Sequence, residues 1–134
     1  MNTVAENNLL NGPHIVIVGP CASGKSTLTA GLRDRGFDAA VCSQEHSEIA
    51  TLWRHSEPDV LIALDSDLET IRARRGREWP ESIYLAQISR LASARAAADI
   101  VIDASKSSAE EVLTTALNHL RNHNQPWPDK TETE

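Results

Sequence analysis

The chain is poor in four features that would place it in a specialised class of proteins. Two cysteines in 134 residues are too few for a disulfide framework, and they predict reduced thiols in a cytoplasmic protein. No apolar run approaches the about 18 residues of a membrane-spanning helix. The opening segment from Met1 to Glu6 lacks the regions of a signal peptide. Acidic residues outnumber basic ones, giving a net charge of −6, which argues against nucleic acid as the main partner.

The length of the chain predicts one small globular domain with a single modest core. Residues 1–12 are polar and end in a turn signal, and residues 124–134 contain prolines without a helical period. We therefore expect one folded domain over residues 13–123, between flexible ends at 1–12 and 124–134.

The most specific pattern in the chain spans residues 19–26, here called the glycine loop, and reads G-x-x-x-x-G-K-S. A β-branched segment from His14 to Val18 precedes the glycine loop and predicts a strand, and Lys25 to Arg35 predicts a helix. Glycines let backbone N–H groups converge on one anion, and the helix start turns its positive dipole end to the same place. The pattern predicts a phosphate site where Lys25 neutralises the outer phosphates and the Ser26 hydroxyl ligates Mg²⁺. The domain at 13–123 is therefore predicted to bind nucleotide, and the residues expected to do so are Gly19, Pro20, Cys21, Ala22, Ser23, Gly24, Lys25, Ser26 and Thr27.

Strand-like and helix-like segments alternate along the rest of the chain. Further strands are predicted at 37–42, 59–64 and 99–103, and further helices at 46–55, 66–75, 81–98 and 108–120. Capping-box spacings at Ser66 and Ser108 mark two helix starts, and Ile83, Ile88 and Leu91 mark the apolar side of the longest helix. The alternation predicts an α/β fold, with a parallel sheet of about four strands between helices in a three-layer α/β/α arrangement.

Taken together, these segments resemble the P-loop kinases, the adenylate-kinase-like small-molecule and nucleotide kinases. The resemblance covers roughly residues 14–120 and is carried by the glycine loop, the strand ending at Asp65, the arginines after it and Ile102-Asp103-Ala104-Ser105. It implies a P-loop NTPase fold, with ATP and Mg²⁺ as cofactors and phosphoryl transfer as the reaction. It also implies that Asp103 and Ser105 lie beside the adenine base. The arginines that stand where the family has its helix and lid arginines are Arg72, Arg74, Arg75 and Arg77.

Several charged residues are candidates for chemistry. On a helix, Arg72 and Arg75 share a face while Arg74 points elsewhere, so Arg72 and Arg75 are assigned, with Lys25, to the transferred phosphoryl group. The alternative is a solvated basic face. Glu45, after the second strand, is the candidate base or metal-organising carboxylate, or else a favourable first-turn charge.

Two further assignments concern metal and acceptor. Asp65 is assigned to Mg²⁺, but the sequence leaves open whether its strand is the Walker B strand or the next one. His46 is a candidate acceptor contact. Cys21 is interpreted as a small residue at a variable loop position, with redox control as the alternative.

Two functions from different classes follow from these assignments. The first is an ATP-dependent phosphotransferase, a kinase acting on a small molecule or nucleotide. The second is an ATP-binding or slow ATPase module without an acceptor, which the short acceptor segment at 43–57 favours. The chain has no D-x-x-G after the loop and no N-K-x-D, so a GTPase is disfavoured. The expected partners are a nucleotide and a small-molecule acceptor, without nucleic acid or membrane, and a homodimer is possible.

Overall fold

A four-stranded parallel sheet with the order β2-β1-β3-β4 forms the centre of the protein. The computed structural model describes residues 12–122, so the predicted flexible ends at 1–12 and 124–134 lie outside the described residues except for Gly12. The strands are β1 His14–Val18, β2 Asp38–Val41, β3 Val60–Asp65 and β4 Ile100–Asp103. The predicted α/β class and the parallel four-stranded sheet are confirmed.

Burial along the strands explains their order. β1 and β3 are almost wholly buried and rich in β-branched or aliphatic residues, as expected for central parallel strands covered on both faces. Their register pairs Ile15 with Val60 and Val18 with Ala63. β2 and β4 lie at the edges and expose part of their side chains, including Val41 and Val101.

Helices cover both faces of the sheet. They are α1 Lys25–Asp34, α2 Leu68–Arg75, α3 Glu81–Ala97 and α4 Ala109–Arg121. Ile15 and Ile17 belong to a core cluster with residues of α1 and α4, whereas Val16 and Val18 belong to a second cluster with residues of α3 and with Trp53. Because successive side chains of a strand point to opposite faces, those of β1 contribute to two hydrophobic cores, one on each face of the sheet.

The segment between β2 and β3 is not the helix predicted for 46–55. It contains two 3-10 turns, Gln44–His46 and Leu52–Ser56. The wholly buried side chain of Gln44 holds them together, because its amide donates to the carbonyl of Ile49 and accepts from the backbone N–H of Trp53. A buried amide satisfied in this way competes with helical hydrogen bonds, which is why the helical pattern was misleading here.

Helix starts and faces differ partly from the sequence expectations. The capping box of Ser108 and Glu111 is present at the start of α4. The N-cap of α2 is Asp67 rather than Ser66. In α3 the buried residues are Gln87, Leu91 and Ala94, whereas Ile83 and Ile88 are exposed. The predicted apolar side of α3 is therefore confirmed at Leu91 and wrong at Ile83 and Ile88, because a buried glutamine occupies part of the packed face.

Within residues 12–122, no helix combines the length and the apolar character that crossing a membrane requires.

Candidate functional site

The glycine loop connects the end of central strand β1 to the start of α1, as predicted. Gly24 has φ of 94°, in the left-handed region that glycine tolerates best. A Cβ at Gly19 would lie 2.7 Å from Ser23 Oγ and 3.0 Å from the carbonyl oxygen of Leu64, so only glycine fits against β3 there. Ala22 also has a positive φ, 62°, which is uncommon for a residue with a side chain. The loop backbone is thus curled back on itself.

Lys25 lies across the mouth of this loop. Its Nζ donates to the carbonyl oxygens of Gly19 and Pro20, each at 2.9 Å, and lies 3.1 Å from Glu45 Oε2. Both partners of the ion pair are nearly buried, with side-chain exposures of 11% for Lys25 and 4% for Glu45. The sheet order explains the contact, since β2 neighbours β1 and the chain after β2 returns beside the loop.

The first turn of α1 presents polar groups next to Lys25. The first helical hydrogen bond runs from Leu28 N to the carbonyl of Gly24, so the N–H groups of Lys25, Ser26 and Thr27 precede the intrahelical ladder. The side chains of Ser26 and Thr27 are exposed. This arrangement offers backbone donors, two hydroxyls and the positive end of the helix dipole to one anion.

Cys21 anchors the loop to α3 and to the segment after β2. Its backbone N–H donates to Gln87 Oε1 at 3.0 Å, and Gln87 Nε2 donates to Cys21 Sγ at 3.1 Å. Cys21 Sγ also lies 3.7 Å from His46 Nε2. His46 Nε2 in turn lies 3.5 Å from Glu45 Oε2. Gln87, which sequence reasoning missed, is therefore the residue that fixes the loop against α3.

Arg72 and Arg75 lie on one side of α2 and Arg74 on another, as predicted, but the arginine that reaches the loop is Arg74. Arg74 reaches the glycine loop, donating to the carbonyl of Ala22 at 2.5 Å and to that of Ala104 at 3.4 Å. Arg72 donates to the carbonyl of Trp79, and the guanidinium of Arg75 lies over the Trp79 ring. Arg77 follows the end of α2 and is exposed. The structure thus brings Arg74 to the loop and places Arg72 and Arg75 against Trp79.

Asp65 ends β3 on the other side of β1 from Glu45. Its carboxylate accepts hydrogen bonds from Nε and Nη2 of Arg95, the shortest at 2.7 Å. The hydrogen bond and charge of Asp65 raise the pKa of Arg95 above its ordinary value. Lys25 therefore contacts the carboxylate of Glu45, whereas the carboxylate of Asp65 pairs with Arg95.

Two cavities border the glycine loop. The first, of about 390 Å³, adjoins its start at Gly19 and Pro20 and extends to α3. It is lined by Asp65, Arg95, Tyr84, Asp103, Ser105 and Lys106, among others. The second, of about 380 Å³, adjoins its end at Ser23 and Gly24 and is lined by Thr27 of α1 and by Arg74, Ala104 and Ser107. Asp103 and Ser105, predicted beside the base, therefore lie at the first cavity, whereas the neighbouring Ala104 and Ser107 lie at the second.

Three buried side-chain oxygens near the loop have no hydrogen-bond partner among the described residues: Ser23 Oγ, Glu45 Oε1 and Ser66 Oγ. Unpaired buried polar atoms are costly in folded proteins and concentrate at functional sites. Ser23 lies inside the glycine loop, and Glu45 beside Lys25, so both orphaned atoms adjoin the candidate anion site.

No model of a known protein family matches the chain, and no curated protein matches it either.

Proposed function

We propose that the protein binds ATP at the glycine loop and transfers its terminal phosphoryl group to a small molecule. The observation that carries this proposal is the position of Lys25, held across the loop mouth by two loop carbonyls and Glu45. An ammonium placed there, beside the free N–H groups of the α1 start, is complementary to a polyphosphate. Within the P-loop NTPase fold, which is part of this proposal, these are the groups that receive the nucleotide phosphates.

The residues present fit ATP and Mg²⁺. The orphaned Ser23 Oγ is a hydroxyl that a phosphate oxygen would satisfy, and the exposed Ser26 hydroxyl is placed for a magnesium ion. Bound ATP supplies the phosphoryl group, and the metal ion neutralises charge on its phosphates. Lys25 would exchange its two carbonyl partners for phosphate oxygens.

The cavity at the end of the loop suits the nucleoside part of ATP. It combines the small apolar side chains of Ala104 and Ala109 with the planar guanidinium of Arg74. A guanidinium can stack on a base and donate hydrogen bonds at its edge. Of the four arginines in the cluster, Arg74 is therefore the one we assign to the nucleotide, in place of Arg72 and Arg75.

Glu45 is the carboxylate we assign to the metal and the attacking hydroxyl. It is buried beside Lys25, and its Oε1 has no partner. A buried carboxylate at this place can orient a magnesium-bound water or accept a proton from an acceptor hydroxyl. Asp65 is less suitable, because a bidentate pair with Arg95 occupies its carboxylate.

We assign the small-molecule acceptor to the cavity at the start of the loop. Its lining of apolar side chains from α3 with a rim of Arg95, Lys106 and three aspartates suits a small polar molecule. The second candidate function, an ATP-binding or slow ATPase module, is favoured by the segment at 43–57. That segment is short and tied down by Gln44 and by Arg90, which donates to the carbonyl of Glu45.

Calorimetric titration of Mg-ATP and Mg-GTP into the wild type and Lys25→Ala tests the proposal. We expect ATP binding that the substitution weakens at least about a hundredfold, because a charge-assisted contact to phosphate is lost. Arg121→Ala, which removes one positive charge at the far end of α4, is the matched control and should bind as the wild type does. Absence of ATP binding to the wild type would refute the proposal.

Turnover then separates the two candidate functions. Hydrolysis of Mg-ATP that rises when a small hydroxyl- or phosphate-bearing acceptor is added, with formation of the phosphorylated acceptor, supports the kinase. ATP binding with a slow hydrolysis that no acceptor in a broad panel stimulates supports the module. The cytoplasmic location and the homodimer remain predictions from the sequence.

A further inference from the structure

Three potential metal ligands of different chemistry meet beside the glycine loop. They are the thiol of Cys21, the imidazole of His46 and the carboxylate of Glu45, and one ligand atom from each lies within 4.8 Å of the other two. The residues come from two separate parts of the chain, the loop itself and the 3-10 turn after β2. Cys21 is far from Glu45 and His46 in the sequence, so no short metal-binding motif contains all three. They meet because β1 and β2, the strands that precede them, are neighbours in the sheet.

The spacing of these atoms matches a tetrahedral ion. Zinc lies about 2.3 Å from a thiolate sulfur and about 2.0 Å from an imidazole nitrogen, so two such ligands are about 3.5 Å apart at the tetrahedral angle. Cys21 Sγ and His46 Nε2 are 3.7 Å apart, and His46 Nε2 and Glu45 Oε2 are 3.5 Å apart. The third pair, Cys21 and Glu45, has its ligand atoms within 4.8 Å, so side-chain adjustment would bring all three atoms onto one ion.

The surroundings of the cluster add two independent observations. Glu45 is 3% exposed, and its Oε1 is buried without a hydrogen-bond partner, an arrangement that a cation would satisfy. Gln87 Nε2 donates a hydrogen bond to Cys21 Sγ, and donors of this kind orient a sulfur ligand and stabilise its negative charge. His46 is exposed, so the fourth position can be filled by water or by another ligand.

We propose that Cys21, Glu45 and His46 form a three-ligand site for a zinc-like transition-metal ion at the glycine loop. On binding, the Cys21 thiol becomes a thiolate and releases its proton to solvent. The soft sulfur ligand distinguishes this site from one for Mg²⁺, which takes oxygen ligands. The proposal does not depend on ATP binding.

The metal competes with Lys25 for Glu45. Lys25 Nζ lies 3.1 Å from Glu45 Oε2, the same oxygen that faces His46. A divalent ion at this place would be repelled by the ammonium and would take the carboxylate from it. Lys25→Ala should therefore bind the metal about tenfold more tightly than the wild type, a difference of about 1.4 kcal/mol. An unchanged or weaker affinity in Lys25→Ala would refute this competition.

Cobalt titration of the reduced, metal-stripped chain tests the site. We expect one equivalent of Co²⁺ to give a thiolate-to-cobalt charge-transfer band, and Zn²⁺ but not excess Mg²⁺ to abolish it. Cys21→Ser, which keeps an acceptor for Gln87, should lose the band. His46→Ala, at an exposed position, should keep the band and weaken binding at least about tenfold.

Two controls use the matching residues of the chain. Cys42→Ser removes the other thiol, whose pKa is raised by burial, and His55→Ala removes an exposed histidine of the same segment. Both should leave band and affinity unchanged. The proposal is overturned by the absence of a charge-transfer band in the wild type, by a band that persists in Cys21→Ser, or by unchanged affinity in His46→Ala. Urea unfolding of each metal-free variant shows whether the variant is folded. If Cys21→Ser does not fold, the metal affinity of His46→Ala alone decides whether the proposal stands.

Discussion

At the scale of single residues, the ion pair between Lys25 and Glu45 dominates the site. Two nearly buried charges are expensive to remove from water, and their attraction offsets that cost only while both are present. Glu45 therefore holds the Lys25 ammonium in place. Under the proposed function, a polyphosphate would compete with Glu45 for Lys25, and the carboxylate would repel the phosphates.

Glu45→Gln should separate binding from turnover. Removing the carboxylate beside Lys25 removes its repulsion of phosphates, so ATP without Mg²⁺ should bind about tenfold more tightly. Acceptor-stimulated turnover should fall, because the proposed base is lost. Calorimetry and a product assay measure the two effects, and Glu48→Gln, at an exposed carboxylate of the same segment that pairs with Arg90, is the control. Weaker ATP binding in Glu45→Gln would contradict this account.

At the scale of elements, the short helix α2 places charged side chains at both of its ends. Asp67 caps its first turn by accepting a hydrogen bond from Thr70 N at 2.8 Å, and its last turn carries Arg72, Arg74 and Arg75. Successive positions on a helix point in different directions, so the three arginines meet different neighbours. The cap fixes where α2 starts, and its start decides which arginine faces the loop.

Adjacent arginines of α2 should therefore behave differently. Arg74→Ala is expected to weaken Mg-ATP binding about tenfold, because Arg74 is the arginine that lines the cavity at the end of the loop. Arg75→Ala removes the same charge one position later, from a guanidinium over Trp79, and should change affinity less than about twofold. Calorimetry decides between them. A larger loss in Arg75→Ala would restore the original sequence assignment.

The cap of α2 should give the protein a measurable acid sensitivity. Hydrogen bonds from the Thr70 side chain and backbone lower the pKa of Asp67 below its ordinary value of 3.8. A carboxyl with a depressed folded-state pKa contributes stability above the unfolded pKa, and this contribution is lost as the pH falls through the folded value. Urea unfolding should show the wild type losing stability relative to Asp67→Asn below pH of about 4. A difference that is constant with pH would contradict the assignment.

At the scale of the whole molecule, the central position of β1 in the sheet determines which residues lie beside the glycine loop. The carboxyl ends of parallel strands meet at one edge of the sheet, which is where open α/β sheets bind ligands. The glycine loop follows β1 there, with Glu45 arriving after β2 on one side and Asp65 ending β3 on the other. The candidate site is therefore positioned by β1 and its two neighbours in the sheet.

The central strands should dominate stability. Ile62→Ala in β3 deletes a wholly buried side chain and should cost about 2–5 kcal/mol, through lost transfer energy and a cavity. Ile49→Ala, the same substitution at a side chain that is 55% exposed, should cost under about 0.5 kcal/mol. Urea midpoints with unchanged m-values measure both. Similar losses for the two variants would show that the core is not where the structure places it.

Local signals in the sequence were sufficient for the fold class and the glycine loop. The β-branched runs of β1 and β3, the glycine spacing and the Ser108 capping box depend on near neighbours in the chain, so they could be read directly. The same reasoning failed at 46–55 and for part of the apolar side of α3. There a single buried amide, Gln44 in one case and Gln87 in the other, found its partners among residues distant in sequence or outside the helical pattern.

The sequence by itself determined that a loop with the pattern G-x-x-x-x-G-K-S lies between a buried strand and a helix in a parallel α/β protein. Only the tertiary structure decided which charged groups lie beside that loop. It brought Glu45, His46 and Arg74 to the loop, paired Asp65 with Arg95, and turned Arg72 and Arg75 to Trp79. The physical reason is that strand order and helix rotation bring these residues together. Both are set by the packing of the two cores, so no local sequence pattern indicates them.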